Sequence, residues 1–144
     1  MKKVLALIAF VLITVHSFAQ KTVDKGIQAT IIRFFDGMSN LDDKAIRSTV
    51  TADFTLLEGG LVWNADTLIN HLLPLRKMNV KRLNKFEFLT TEQNKEVAWI
   101  SYFNTADFLI NDKQRSIRWL ESAVLINKNG IWKIQLLHST VVKQ

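Results

Sequence analysis

The chain has 144 residues, a net charge of +6 and no cysteine. This length is typical of one ordinary domain with a real core, and the lack of cysteine excludes a disulfide framework and a thiolate metal site. The chain contains no Lys/Arg run interleaved with exposed aromatics, so we expect no nucleic-acid partner. We interpret its densest basic cluster as a solvated loop and strand edge, with an anion or envelope-surface contact as the alternative: Arg76, Lys77, Lys81 and Arg82.

The first nineteen residues have the pattern of a secretory signal peptide. Lys2 and Lys3 precede an apolar run over 4–15, and a small-x-small sequence ends at Ala19. The apolar run is short for crossing a bilayer, so an uncleaved anchor is the weaker alternative. We therefore predict a signal peptide over 1–19 and a single domain over 20–144. The mature protein is expected to be periplasmic or secreted, with no membrane span.

Helical patterns come first in the remaining chain. Apolar residues at helical spacing predict an amphipathic helix over about 24–39, and carboxylates after a polar break predict a second over 42–50. A short strand over 54–57 returns through 61–63. Asn64 is a suitable N-cap for a third helix, which is expected to end near Pro74.

The second half of the chain predicts four long strands, over about 80–91, 96–109, 113–127 and 131–143. Asn129-Gly130 lies between the last two and predicts a tight hairpin. Helices followed by antiparallel strands indicate an α+β domain with three helices on one face of the sheet. Long strands coil, so we expect a cone-shaped domain with a pocket between the helices and a strongly curved, largely antiparallel sheet.

Strict alternation places Trp119 and Glu121 on the same face as Trp132, Leu136 and His138. A turn centred on Lys128 and Asn129 would pair His138 with Trp119, one diagonal step from Glu121. On the pocket face, Glu121 would have a raised pKa suited to acid–base catalysis, and His138 would be a base or hydrogen-bond donor. The alternatives are a carboxylate at the sheet rim or paired with an arginine, and a structural histidine.

Aromatic residues are the other candidates for the pocket. Trp63, Trp99, Phe103 and Trp119 are predicted to line it, with ordinary core packing as the alternative. The sequence has no cluster of His and carboxylates at metal-ligand spacing, and no P-loop, dinucleotide or serine-hydrolase motif. Neither a metal nor a cofactor is therefore implied.

Three segments resemble the nuclear transport factor 2-like superfamily, which includes SnoaL-like cyclases, ketosteroid isomerases and scytalone dehydratase. They are IIRFFDGMSNLDDKAIRSTVTADF (31–54), FTLLEGGLVWNADTL (54–68) and NGIWKIQLLHST (129–140). The resemblance implies a cystatin-like cone and, in many relatives, a homodimer formed through the outer sheet face. It places Glu58 at the position of the isomerases' general base. Phe34 stands where those enzymes have a tyrosine, so their usual oxyanion site lacks one donor.

Three functions remain open on this basis. The first is an exported domain that binds a small apolar or aromatic molecule, with Phe34 among the pocket residues. The second is a cofactor-free lyase, isomerase or cyclase that uses Glu58, Glu121 or His138. The third is a non-catalytic dimerisation module, because this superfold carries catalysts, binding domains and assembly domains alike.

Overall fold

A computed structural model describes residues 23–143 of the chain. The predicted signal peptide lies outside these residues. The described chain forms three α-helices, one short 3-10 helix and six strands, in this order: α1 (Gly26–Ser39), α2 (Asp43–Thr49), β1 (Val50–Glu58), β2 (Leu61–Trp63), α3 (Ala65–Leu72), the 3-10 helix (Leu73–Lys77), β3 (Val80–Asn94), β4 (Val97–Ile110), β5 (Lys113–Lys128) and β6 (Ile131–Val141).

The six strands form one mixed sheet in the order β2-β1-β6-β5-β4-β3. β1 and β6 are parallel, and the other neighbours are antiparallel. The helices cover one face, here called the inner face, and bury the core against it. The predicted α+β class with three helices on a largely antiparallel sheet is confirmed.

Local signals set the helix boundaries. The side chains of Asp42 and Asn64 accept hydrogen bonds from the backbone N–H groups of Ala45 and Thr67, which caps α2 and α3. α3 ends at Leu72, and Pro74 lies in the 3-10 helix that follows. The predicted N-cap at Asn64 and the end of the helix near Pro74 are both confirmed.

The last two strands form the predicted hairpin. Asn129 and Gly130 have φ angles of +55° and +82°, the left-handed conformations that a two-residue hairpin turn requires. Lys128 pairs with Ile131, so the turn is centred on Asn129-Gly130 and not on Lys128-Asn129 as predicted. The predicted register between the two strands is therefore wrong.

A β-bulge in β6 changes which side chains face inward. Leu125 pairs with Ile134, but the preceding residue, Val124, pairs with Leu136, so Gln135 is an extra residue in β6. A bulge of this kind interrupts the alternation of faces along a strand. Ile134 is buried on the inner face, and beyond the bulge the buried residues are Leu137 and Ser139. The predicted placement of Leu136 and His138 on that face is wrong.

Candidate functional site

The candidate site is a cavity of about 240 Å³ between α1, α3 and the inner face of the sheet. Most of its wall is apolar, with aromatic rings from both layers. The charged and polar lining residues come from several elements: Glu58, His71, Arg82, Glu121 and Ser139. An apolar cavity with a few polar groups is the usual composition of a small-molecule site.

The polar groups of the sheet form one row across four strands. Glu58 of β1 pairs with Ser139 of β6, Ser139 pairs with Glu121 of β5, and Glu121 pairs with Tyr102 of β4. The bulge at Gln135 is responsible for this arrangement, because it brings Ser139 rather than His138 opposite Glu121. The pairing register of the four strands therefore determines which polar side chains lie next to one another in the site.

Glu121 is the central ionisable group of the row. Its side chain is buried, one carboxyl oxygen, Oε1, accepts a hydrogen bond from the Ser139 hydroxyl at 3.0 Å, and Oε2 has no hydrogen-bond partner among the described residues. Burial raises the pKa of Glu121 from 4.5 to about 7, although interactions with Ser139, Tyr102, Asn104 and Arg82 oppose that rise. The carboxyl group therefore exchanges its proton near neutral pH.

Two further polar side chains are buried beside Glu121. Tyr102 and Asn104 are fully buried, and neither the Tyr102 hydroxyl nor the Asn104 side-chain amide has a hydrogen-bond partner within residues 23–143. Burial raises the pKa of Tyr102 well above its ordinary value, with the charge of Glu121 as the second cause. Buried polar atoms without partners are costly, and such exceptions to good packing are concentrated at functional sites.

Arg82 supplies the positive charge of the cavity. Burial lowers its pKa to about 10, while the carboxylates of Glu121 and Glu58 act in the opposite direction. Its Nε donates a hydrogen bond to Asn84 Oδ1 at 3.0 Å. The guanidinium lies 5.2–5.9 Å from the ring centroids of three aromatic side chains: Phe35, Phe108 and Trp119. Our interpretation of this basic cluster as wholly solvated is therefore wrong for Arg82.

Five of the sequence-predicted site residues line the cavity together: Phe34, Glu58, Trp63, Trp119 and Glu121. Trp63 stacks on the imidazole of His71, with ring centroids 4.2 Å apart. This close stacking fixes one aromatic wall of the cavity. The catalytic or binding roles of all five residues stay predictions.

Three other candidates lie on the opposite, outer face. The buried residues of β4 include Ala98, Ile100 and Tyr102, so Trp99 and Phe103 point the other way, and Trp99 is 46% exposed. His138 is exposed beside Leu120 and Ser122. The predicted pocket positions of Trp99, Phe103 and His138 are wrong. The hypothetical pair of Glu121 and His138 is excluded because the two side chains are on different faces.

The sequence reasoning did not single out Tyr102, Asn104, Ser139 or His71 for the site. Alternation along β4 carried a signal, because Tyr102 and Asn104 share the face of Ala98 and Ala106. Ser139 left no such signal, since the bulge reverses its face. Within 23–143 we find no group of three or more His, Asp or Glu residues placed to hold a metal ion, and no helix of the length and apolarity needed to cross a bilayer.

No model of a known protein family matches the chain, and no curated protein matches it. Solved structures do. A ketosteroid isomerase-like protein from Erwinia carotovora atroseptica has 17% identity and a TM-score of 0.67, covering 82% of this chain and 95% of that one. The hub homology domain of a calcium/calmodulin-dependent kinase from Chlamydomonas reinhardtii has 17% identity and a TM-score of 0.70, covering 82% and 97%.

A hexachlorocyclohexane dehydrochlorinase has 13% identity and a TM-score of 0.65, covering 81% of this chain and 85% of that one. These identities are low, so the likenesses establish the architecture and leave the activity open. Another similar structure is described as having a cystatin-like fold. The chain therefore has a cystatin-like α+β fold, the architecture that these solved structures share with it.

Proposed function

We propose that this protein binds a small, mostly apolar molecule in the inner cavity. The observation that supports this best is the composition of the cavity wall, in which aromatic and aliphatic side chains surround a short row of polar groups. At about 240 Å³ the cavity lies just below the usual range of roughly 300–1,000 Å³ for ligand sites, which favours a small ligand. The signal peptide predicted over 1–19 leads us to propose that this binding takes place outside the cytoplasm.

The four tryptophans provide a test with internal controls. Trp63 and Trp119 line the cavity, whereas Trp99 is on the outer face and the Trp132 indole N–H donates to Asp24. Titration with a neutral aromatic probe such as indole is expected to shift the NMR signals of Trp63 and Trp119 alone. Saturable shifts confined to Trp99, or no shifts at all, would contradict the proposal.

A second candidate function is general acid–base catalysis by Glu121. The specific observation is the carboxyl group with a pKa of about 7 on the wall of an apolar cavity. Two of the structural neighbours carry enzyme-type names, the dehydrochlorinase and the ketosteroid isomerase-like protein. In this function Glu121 would take a proton from a carbon atom of the bound molecule.

A nitrobenzisoxazole tests this base without knowledge of the natural substrate. The carboxylate removes the ring C–H proton while the N–O bond breaks to give a cyanophenolate, which is coloured. We expect turnover to rise as pH passes about 7, because the base must be ionised. Glu121→Gln should lower the rate on the order of 100-fold. Equal rates for the two proteins would remove this candidate.

We also infer that the outer face of the sheet joins two copies of the chain. Several exposed apolar side chains lie on this face, among them Leu83, Leu89, Trp99 and Leu120, next to the ion pairs Lys85–Asp107 and Glu87–Arg118. Large exposed apolar patches are typical of interaction surfaces, and one structural neighbour is a hub homology domain. Light scattering should give the mass of a dimer for the wild type and of a monomer for Leu120→Glu. A monomeric wild type would contradict this inference.

A further inference from the structure

We infer that the ligand of the inner cavity carries a carboxylate, which the Arg82 guanidinium binds, on an apolar or aromatic body. This inference rests on the proposed binding function and adds the chemical class of the ligand. It is carried by the position of Arg82 on the cavity wall and by the hydrogen-bonding state of its guanidinium.

Arg82 differs from the other arginines near carboxylates. Arg47, Arg76 and Arg118 each form an ion pair on the protein surface. Arg82 is more deeply buried, yet no carboxylate among the described residues is within ion-pair distance of it. Charged groups withdrawn from water are ordinarily paired, since an unpaired one is costly. The geometry therefore favours an anion supplied by a ligand.

The guanidinium is already held in one orientation. Its Nε–H is bonded to Asn84, and the flanking rings of Phe35, Phe108 and Trp119 restrict its plane. Its terminal nitrogens donate no hydrogen bond to any residue of the described chain. Two parallel N–H groups match the two oxygens of a carboxylate, and a guanidinium held in advance loses little freedom when it binds.

The other charged groups of the cavity favour a single negative charge on the ligand. Glu58 is half-buried at the end of β1, beside the exposed Gly59-Gly60 turn, and its charge acts on Arg82. Glu121 is partly protonated at neutral pH, so it is able to donate a hydrogen bond. His71 is stacked on Trp63 at the helix side of the cavity. A dianion such as phosphate would face two carboxyl groups with only one arginine to balance it.

Three probes that share a phenyl ring on a three-carbon chain test the inference: hydrocinnamate, its neutral amide and the corresponding amine. Calorimetry on the wild type should show hydrocinnamate binding about ten- to hundred-fold more tightly than the amide. Arg82→Met keeps much of the apolar stem and should remove this preference, because hydrocinnamate loses far more affinity than the amide when the charge is lost. Arg82→Lys should recover part of it, since the charge returns without the planar fork. Arg47→Met, which removes an exposed arginine outside the cavity, should match the wild type.

The outcomes separate this inference from the function on which it rests. If the amide binds in the cavity as tightly as hydrocinnamate, or the amine binds best, the carboxylate inference is overturned and the binding function stands. If none of the three probes binds, both are overturned. Melting temperatures of the variants verify that each one is folded, and an unfolded Arg82→Met is replaced by Arg82→Gln for the same comparison.

Discussion

The free energy of unfolding is expected to fall as pH rises from about 5 to 8, and Glu121→Gln should remove most of that fall. The pKa of this carboxyl group is 4.5 ordinarily and about 7 in the folded protein. Between these values the folded state holds a proton that the unfolded state has released, so rising pH favours unfolding. The stabilisation is complete below the unfolded pKa and is lost through the folded pKa. A shift of this size corresponds to about 3 kcal/mol.

Urea unfolding of wild type and variant at several pH values measures this effect. Glu92→Gln removes one negative charge from an exposed position on β3 and controls for the change in net charge. The glutamine variant should be more stable than the wild type at about pH 8, because it buries no charge there. If Glu121→Gln and Glu92→Gln show the same pH dependence as the wild type, the carboxyl of Glu121 is ordinary and the acid–base site is refuted.

Phe34→Ala is expected to cost about 3–5 kcal/mol of stability, the range for emptying a buried aromatic position. Phe34 is fully buried in α1, and its ring centroid lies 5.2 Å from that of Phe35 and 5.8 Å from that of Phe54. The substitution removes these edge and tilted ring contacts and leaves a void that rigid strands cannot close. Because Phe34 also lines the inner cavity, the same change enlarges that cavity.

Leu61→Ala is the matched control, since Leu61 is 60% exposed at the start of β2 and outside the outer-face patch. Its loss is expected to cost about 0.5 kcal/mol or less. Denaturant unfolding of both variants gives the comparison. A cost for Phe34→Ala as small as that for Leu61→Ala would mean that α1 does not pack on the sheet as described.

The fold was predictable because its signals are local. Apolar spacing marked α1, the side chains of Asp42 and Asn64 capped the next helices, and Asn129-Gly130 fixed the hairpin between β5 and β6. Each of these signals depends on residues a few positions apart. The pairing of β1 with β6 in parallel joins distant segments, and no single stretch of sequence specified it.

The candidate site was less predictable because it depends on register. Alternation correctly placed Trp119 and Glu121 together, but one extra residue at Gln135 moved His138 to the outer face and Ser139 to the inner one. A bulge has no reliable sequence signal, and it moves every later side chain of its strand to the opposite face of the sheet. Trp99 and Phe103 were placed on the wrong face for a different reason. Both faces of β4 carry apolar and polar side chains. The polar groups of Tyr102 and Asn104 on the inner face made that face hard to recognise from the sequence.

The same strand register brings the buried polar groups of the inner cavity together. Neighbouring strands place Ser139, Glu121 and Tyr102 side by side, and the surrounding core withholds water from them. A core of apolar residues alone would be more stable, since unpartnered polar atoms oppose folding.

The raised pKa of Glu121 is tested most directly by an NMR titration of its side-chain carboxyl carbon, assigned with the Glu121→Gln variant. A midpoint near 7 is the expected result, because a dehydrated acid holds its proton more tightly than one in water. A midpoint near 4.5, the value of a glutamate in water, would mean that solvent reaches this carboxyl and that the cavity has no acid–base group.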